Sequence, residues 1–335
     1  FLQRRHKILL KEVLDMHLDK KRSKRENWFI AFVAFAVLFG VALIFSDTFR
    51  TSRNITNLIV QITPLGLVTL GQMFVIITGG IDLSVGSVLS LATAVAANTM
   101  KSFGIIPSIF MIYGLCIVIG LINGLAISIF GMNSFVTTLA TMIIAQGLTL
   151  HLLPAPGGII PYSFVKFIMR NYFLRLPIFV WFFVVSALIL SIFLYKTRFG
   201  LNLYAIGGNK LAASLSGIPV RKTLILAYIL SSIMAASSGL LMTARISCGD
   251  PLVGQPYVLD SIGAAAIGGV SLSGGRGGVI CAVIGTFIIG SISNILNMFG
   301  VTPYWQYVLK SIMIVSAITF ATKLERLGGR SINNN

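Results

Sequence analysis

Two long runs without a single charged residue, Ile55 to Ile77 and Leu83 to Met100, meet at a glycine-rich junction that carries one carboxylate, Asp82. A crossing of the hydrocarbon core needs about 20 apolar residues, so Asp82 sits between two membrane-length segments. An Asp at the centre of a spanning helix costs about 2.5–3.5 kcal/mol on insertion scales, and the residue therefore needs a reason. Asp82 followed by Leu83-Ser84 fits a helix N-cap, its carboxylate accepting free N–H groups that open the next helix. An ionisable group at membrane depth is also a functional candidate, and the two readings are compatible. Gly79 and Gly80 permit a backbone break only where the loosened segment is buried in protein or lines a wet cavity.

Composition agrees: of 335 residues, 56% are hydrophobic and 10% charged, against roughly 25% charged in a soluble domain. The fold class is an all-α polytopic membrane protein, with no room for a separate catalytic domain. Predicted spans are Trp28 to Phe45, Ile55 to Ile77, Leu83 to Asn98, Ile105 to Phe130, Phe135 to Leu153, Pro177 to Tyr195, Thr223 to Thr243, a broken or re-entrant run Val258 to Val270, Val279 to Asn297, and Tyr304 to Thr322. That makes about ten transmembrane helices in a domain 28–322, flanked by a basic arm 1–27 and a tail 323–335, with both ends inside. Counting Lys and Arg gives 18 inside and seven outside, as the positive-inside rule requires. The same rule accounts for the net charge of +17 without nucleic acid. The arm carries nine basic residues, and Ile8, Leu9, Val13, Leu14 and Leu18 recur near helical spacing. It reads as an amphipathic helix on anionic lipid or on a partner, its charged part too long for a cleavable signal.

The outside segment Pro154 to Leu176 interleaves Phe164, Phe167, Ile168 and Tyr172 with Lys166, Arg170 and Arg175. It reads as an interfacial helix, serving as a headgroup-level anchor or a landing surface for a periplasmic protein. Gly79 to Gly86 matches Gly268 to Gly275 at five of eight positions, a weak internal repeat of the kind transporters build around broken helices. Chemical motifs are otherwise sparse. No phosphate-binding G-x-x-x-x-G-K-[ST] occurs, and Gly274-Gly275-Arg276-Gly277-Gly278 lacks the lysine and hydroxyl of such a loop. His6, His17 and His151 have no partners at metal or triad spacing. Cys116, Cys248 and Cys281 suit packing, not a disulfide framework.

Between Arg50 and Lys323 the acids are Asp82, Asp250 and Asp260, a poor set for an intramembrane proton relay. Uncharged groups such as Ser84, Asn123, Asn294, Asn297 and Gln306 suit a neutral polyhydroxylated solute, though each serves equally as an interhelical hydrogen bond. Asp250 to Tyr257 carries two prolines and a glycine that prevent a continuous helix, so it reads as an outer gate or docking edge, or a plain external turn. Candidate pathway or gate residues are Asp82, Ser84, Gln255, Tyr257, Asp260, Asn294 and Asn297.

The stretch TGGIDLSVGS, Thr78 to Ser87, resembles the signature of the permease subunits of ribose-type ATP-binding-cassette (ABC) sugar importers. Tyr204 to Val220, Leu259 to Val279 and Gly285 to Val301 are similar to further stretches of that family, and the likeness covers roughly Leu58 to Ala321. Ser214 departs from it where a basic residue is expected, and Cys281 where glycine is expected. The resemblance implies an ABC importer permease fold translocating a monosaccharide or small polyol across a bacterial inner membrane; it implies no enzyme activity and no cofactor on this chain. ATP and Mg would belong to a cytoplasmic ABC ATPase on another chain. A second permease subunit, as homo- or heterodimer, and a periplasmic sugar-binding protein complete the implied assembly, in contact with membrane lipid. A secondary carrier or channel for a small neutral solute is the alternative. Within the largest inside loop, 196–222, the resemblance makes Gly207, Gly208, Asn209, Ala212, Ala213, Ser216 and Gly217 the coupling helix, with Asn209 as its cap and Gly217 and Pro219 as its stop.

Overall fold

The computed structural model describes residues 31–330 apart from 34, 38, 41, 42, 45, 46, 48 and 175. The predicted arm 1–27, residues 331–335 of the tail and much of the first predicted span lie outside the described residues.

From residue 52 to residue 330, twelve α-helices follow in order among the described residues. They are α1 (Ser52–Ile77), α2 (Val85–Phe103), α3 (Ile105–Ser128), α4 (Ser134–Leu152), α5 (Tyr162–Val165), α6 (Ile178–Lys196), α7 (Arg198–Gly208), α8 (Lys210–Leu215), α9 (Val220–Ile246), α10 (Gln255–Ile267), α11 (Val279–Met298) and α12 (Pro303–Arg330). The centre is α9, which packs along α1, α2 and α3, while α11 lies on α1 and α10. Small residues make that centre possible: α2 buries Gly86, Ser90, Ala92, Thr93, Ala94 and Ala96, letting neighbouring backbones approach closely. The periphery is built differently. Helices α3, α4 and α6 turn Phe110, Ile143, Ile144, Leu188 and Ile192 outward, as helices facing hydrocarbon do.

Among the described residues six helices are long and apolar enough to cross a membrane: α1, α3, α4, α6, α9 and α11. The expected ten are therefore not reached on that criterion; of the four missing, 28–45 lies partly outside the described residues, and two others have a physical reason. Helix α2 is wrapped in protein, so its sequence does not need lipid-grade apolarity. Helix α10 has 13 residues, about 20 Å at 1.5 Å per residue, against about 30 Å of hydrocarbon. Asp250 to Tyr257 is not one continuous helix, as expected, but α10 begins at Gln255, three residues before the predicted run: Pro256 stands in its first turn, where a missing N–H costs nothing. At the other terminus, α12 continues helically through residues assigned to the tail.

The segment 154–176 is not one interfacial helix. Helix α5 passes into a π-helical turn over Lys166–Arg170, and a two-residue antiparallel hairpin pairs Tyr172 with Pro177. A Gly157–Gly249 bridge then ties this segment to the connection after α9.

The two glycine stretches of the expected repeat end their helices alike, in a register shifted by one residue from the sequence match. Helix α1 ends with Gly79 N–H donating to Ile76 O and Gly80 N–H to Val75 O; α10 ends with Gly269 N–H donating to Ala266 O and Val270 N–H to Ala265 O. Both are the same left-handed helix stop, with Gly79 at φ +81° and Gly269 at φ +101°. Gly79 thus corresponds to Gly269, not Gly268, because the residue that must adopt positive φ fixes the equivalence. A β-carbon at Gly79 would meet nothing nearer than Ser273 O at 3.7 Å. Gly79→Ala is accordingly expected to cost only the backbone strain of about 1–2 kcal/mol, seen as a modest fall in the thermal unfolding midpoint of the purified protein with assembly intact.

The α1 stop meets the glycine loop that follows the α10 stop. Gly275 N–H donates to Ile77 O at 2.8 Å, and Gly207 of α7 sits against both, its absent β-carbon only 1.9 Å from Ile77 O and 2.4 Å from Gly275 N. Tyr204, one turn earlier on α7, donates to Gly277 O at 2.8 Å. Burial pushes the Tyr204 phenol up from its ordinary range, keeping it protonated as that donor.

Candidate functional site

Just beyond the α1 stop, Asp82 is fully buried in a chain of hydrogen bonds. Its Oδ1 accepts from Ser84 N–H at 3.0 Å and Ser84 Oγ at 2.6 Å, and its Oδ2 accepts from Ser231 Oγ of α9 at 2.8 Å. Ser84 Oγ accepts from Asn123 Nδ2 of α3 at 3.0 Å, and Asn123 Oδ1 accepts from Thr141 Oγ1 of α4 at 2.8 Å. The Gln72 side-chain amide, turned so that both bonds form, donates to Asp82 O at 3.1 Å and accepts from Asp82 N–H at 3.2 Å. Thr138 Oγ1 accepts from Leu83 N–H at 3.0 Å. The Asp82 N–H and C=O and the Leu83 N–H are thereby satisfied from α1 and α4, and the Ser84 hydroxyl and Asp82 carboxylate are engaged from α3 and α9, the kind of pairing a non-helical stretch inside a membrane protein requires.

This geometry revises the cap expected at Asp82. The N-cap residue of α2 is Ser84; Asp82 stands two residues before it and closes an Asx-type turn on the Ser84 N–H. The turn delays the helix to Val85. Asp82 and Ser84 do not line the cavity described next.

A second polar cluster lies among α1, α10, α11 and α12. It surrounds a cavity of about 270 Å³ whose wall includes Gln61, Tyr257, Asp260, Ser293, Gln306 and Lys310. Lys310 Nζ donates to Asp260 Oδ2 at 2.9 Å, with side chains only 11% and 15% exposed. Gln306 Nε2 donates to Asn297 Oδ1 at 2.7 Å and Val301 O at 2.8 Å, so Asn297 joins the wall from behind. Of the sequence-derived pathway candidates, Tyr257 and Asp260 line the cavity. Gln255 is exposed at the start of α10, and Asn294 exchanges hydrogen bonds with Asn54 at 3.2 Å. Lys310, Gln61 and Ser293 were missed. Lys310 carried a signal, a lone cation within a predicted span; Gln61 and Ser293 carried none.

The third feature is α8, six residues long. Asn209 caps it by accepting from Ala212 N–H at 2.9 Å, as its sequence suggested, and Gly217 at φ +76° stops it. Ala212 and Ser216 are exposed, but Ala213 faces inward, packing with Ile206 of α7 and Leu224 of α9. Gly207 belongs to the helix-stop junction described above, and Gly208 precedes the cap on the exposed side. The largest apolar groups presented outward are Leu211 and Leu215, 70% and 81% exposed; at four-residue spacing they share one face. They were not among the sequence-derived candidates.

Comparison with known proteins agrees with this architecture. The family model described as branched-chain amino acid transport system / permease component matches residues 54–318. The chain is 41% identical over 297 residues to the ribose import permease protein RbsC of Bacillus subtilis, covering 87% of this chain and 92% of that one. It is 37% identical to the L-arabinose transport system permease protein AraH of Escherichia coli, covering 86% and 88%, and 36% identical to the D-allose transport system permease protein AlsC of the same organism, covering 81% and 84%. No solved structure matches the chain. Matched along most of its length by the family model and by relatives spanning nearly their own full lengths, the chain belongs to the ABC transport-system permease family, in its ribose-type branch.

Proposed function

We propose that this chain is the membrane-spanning subunit of a bacterial importer that carries a monosaccharide or similar small polyol across the inner membrane, driven by ATP hydrolysed on a partner chain. The observation that carries this reading is α8. A six-residue helix, capped by Asn209 and presenting Leu211 and Leu215 to solvent, suits insertion into a cleft on a cytoplasmic ATPase. Its inner side is anchored on α7, which contacts the end of α1 and the glycine loop after α10 through Gly207, so force applied at α8 reaches the connections of both broken segments. The charge bias of 18 to seven supports placing this end, and both termini, in the cytoplasm. On that orientation α2 crosses the membrane as a protein-sheathed helix, α12 crosses with most of its described side chains turned outward, α10 crosses part way, and the predicted span 28–45 supplies a further crossing, which restores about ten passages. A second permease subunit and a periplasmic sugar-binding protein complete the assembly. Asp82 and Ser84 act in it by holding the α1–α2 break, whereas Tyr257 and Asp260 face the solute route.

Leu215→Glu tests the docking. Because Leu215 is 81% exposed, the substitution is expected to leave thermal stability within about 0.5 kcal/mol of the parent while lowering ATPase co-purification and ATP-driven uptake at least ten-fold. Cysteine at Ala212 or Ser216 should crosslink to the ATPase chain. Full co-purification of the Leu215→Glu variant, with no crosslink from either position in an assembled complex, would count against α8 as the docking element.

A further inference from the structure

The cavity among α1, α10, α11 and α12 has polar capacity that the fold does not use. Gln61 lines it without a protein hydrogen bond among the described residues, and the Tyr257 hydroxyl reaches only Met242 Sδ, at 3.5 Å; half-exposed Tyr307 adds a hydroxyl at the rim. The Gln306 side-chain oxygen is uncommitted, since both bonds from that amide leave through Nε2. Asp260 gives one oxygen to Lys310 and keeps the other, and Lys310 spends one of its N–H donors. Polar groups left unpaired in a dry interior are costly, so the space holds water or a polar ligand, and 270 Å³ is room for several waters' worth of either.

Resting on the importer reading above, we propose that this cavity binds one neutral polyhydroxylated ring, with the Asp260–Lys310 pair presenting an acceptor and a donor side by side to neighbouring hydroxyls. A hydroxyl both donates and accepts, which fits that alternation. The pair neutralises itself at 2.9 Å, so an anion would face the carboxylate, a cation the ammonium, and a zwitterion would have to split the two charges. Leu65, Met242 and Val253 also line the cavity and offer apolar contact to the C–H face of such a ring, the mixed lining expected of a small-molecule site.

The test is ligand protection in membranes holding the full chain with its partner subunits. Ser293→Cys, in a background where Cys116, Cys248 and Cys281 are replaced by alanine, places a thiol in the cavity wall at nearly conserved volume. D-Ribose, L-arabinose or D-allose is expected to slow its modification by a small polar thiol reagent at least five-fold, and L-leucine to leave it unchanged. Adding Gln61→Leu should raise the sugar concentration needed at least ten-fold. Absence of protection by all three sugars, or equal protection by leucine, overturns the proposal. A crosslink from Ala212→Cys to the ATPase, read separately, reports on the importer reading. Sugar protection without that crosslink would support the site while removing the docking assignment.

Discussion

Lys310→Ala is expected to destabilise the folded permease by about 3–5 kcal/mol, the usual result of removing one partner from a buried ion pair. The charge left behind, Asp260, sits on α10 with its side chain 15% exposed, where the few waters the cavity can hold replace the lost ammonium only in part. Such a loss is a large share of the roughly 5–15 kcal/mol that holds a typical domain folded, so poor yield and a steep drop in thermal unfolding temperature in detergent should follow. The control separates charge from packing. Asp260→Leu combined with Lys310→Met removes both charges at similar volume and is expected to recover most of the stability. If the single and double variants unfold together with the parent, the ion pair does not hold α10 to α12.

Asp82→Ala is expected to cost about 2–5 kcal/mol, whereas Asp82→Asn stays close to the parent. Alanine strands the Ser84 N–H, the Ser84 hydroxyl and the Ser231 hydroxyl, all served by the carboxylate, and each buried group left unsatisfied costs about 1–3 kcal/mol. Asparagine keeps the oxygen that Ser84 uses, and its NH₂ can donate to Ser231 Oγ, since a hydroxyl also accepts. Folded yield, unfolding midpoint and ATP-driven sugar uptake of the two variants decide the matter. If Asp82→Asn assembles with its ATPase and hydrolyses ATP yet takes up no sugar, the charge itself is mechanistic, and a proton- or cation-linked carrier gains ground.

What could be read in the chain was what its residues prefer as solvent. The charge-free lengths that became α1, α3, α6 and α11, the special standing of Asp82, and the cap at Asn209 all follow from local chemistry: bilayer thickness, the cost of a charge, the unpaired N–H groups of a helix start. The register of the repeat was not legible, because glycine and serine match by composition, whereas the equivalence of Gly79 and Gly269 rests on backbone sign. Nor were the pairings. Lys310 meets Asp260 across 50 residues and Ser231 meets Asp82 across 149, and no spacing along the chain announces either. The exposure of Leu211 and Leu215 was hidden for the same reason, since an apolar residue reads alike whether it faces core, lipid or a partner. In a bilayer that ambiguity is at its greatest: lipid tails are as apolar as leucine, so hydrophobicity alone does not say which face of a helix finds another helix. Close packing of small residues and the satisfaction of buried polar groups decide it, and those exist only once α1, α2, α3 and α9 have come together.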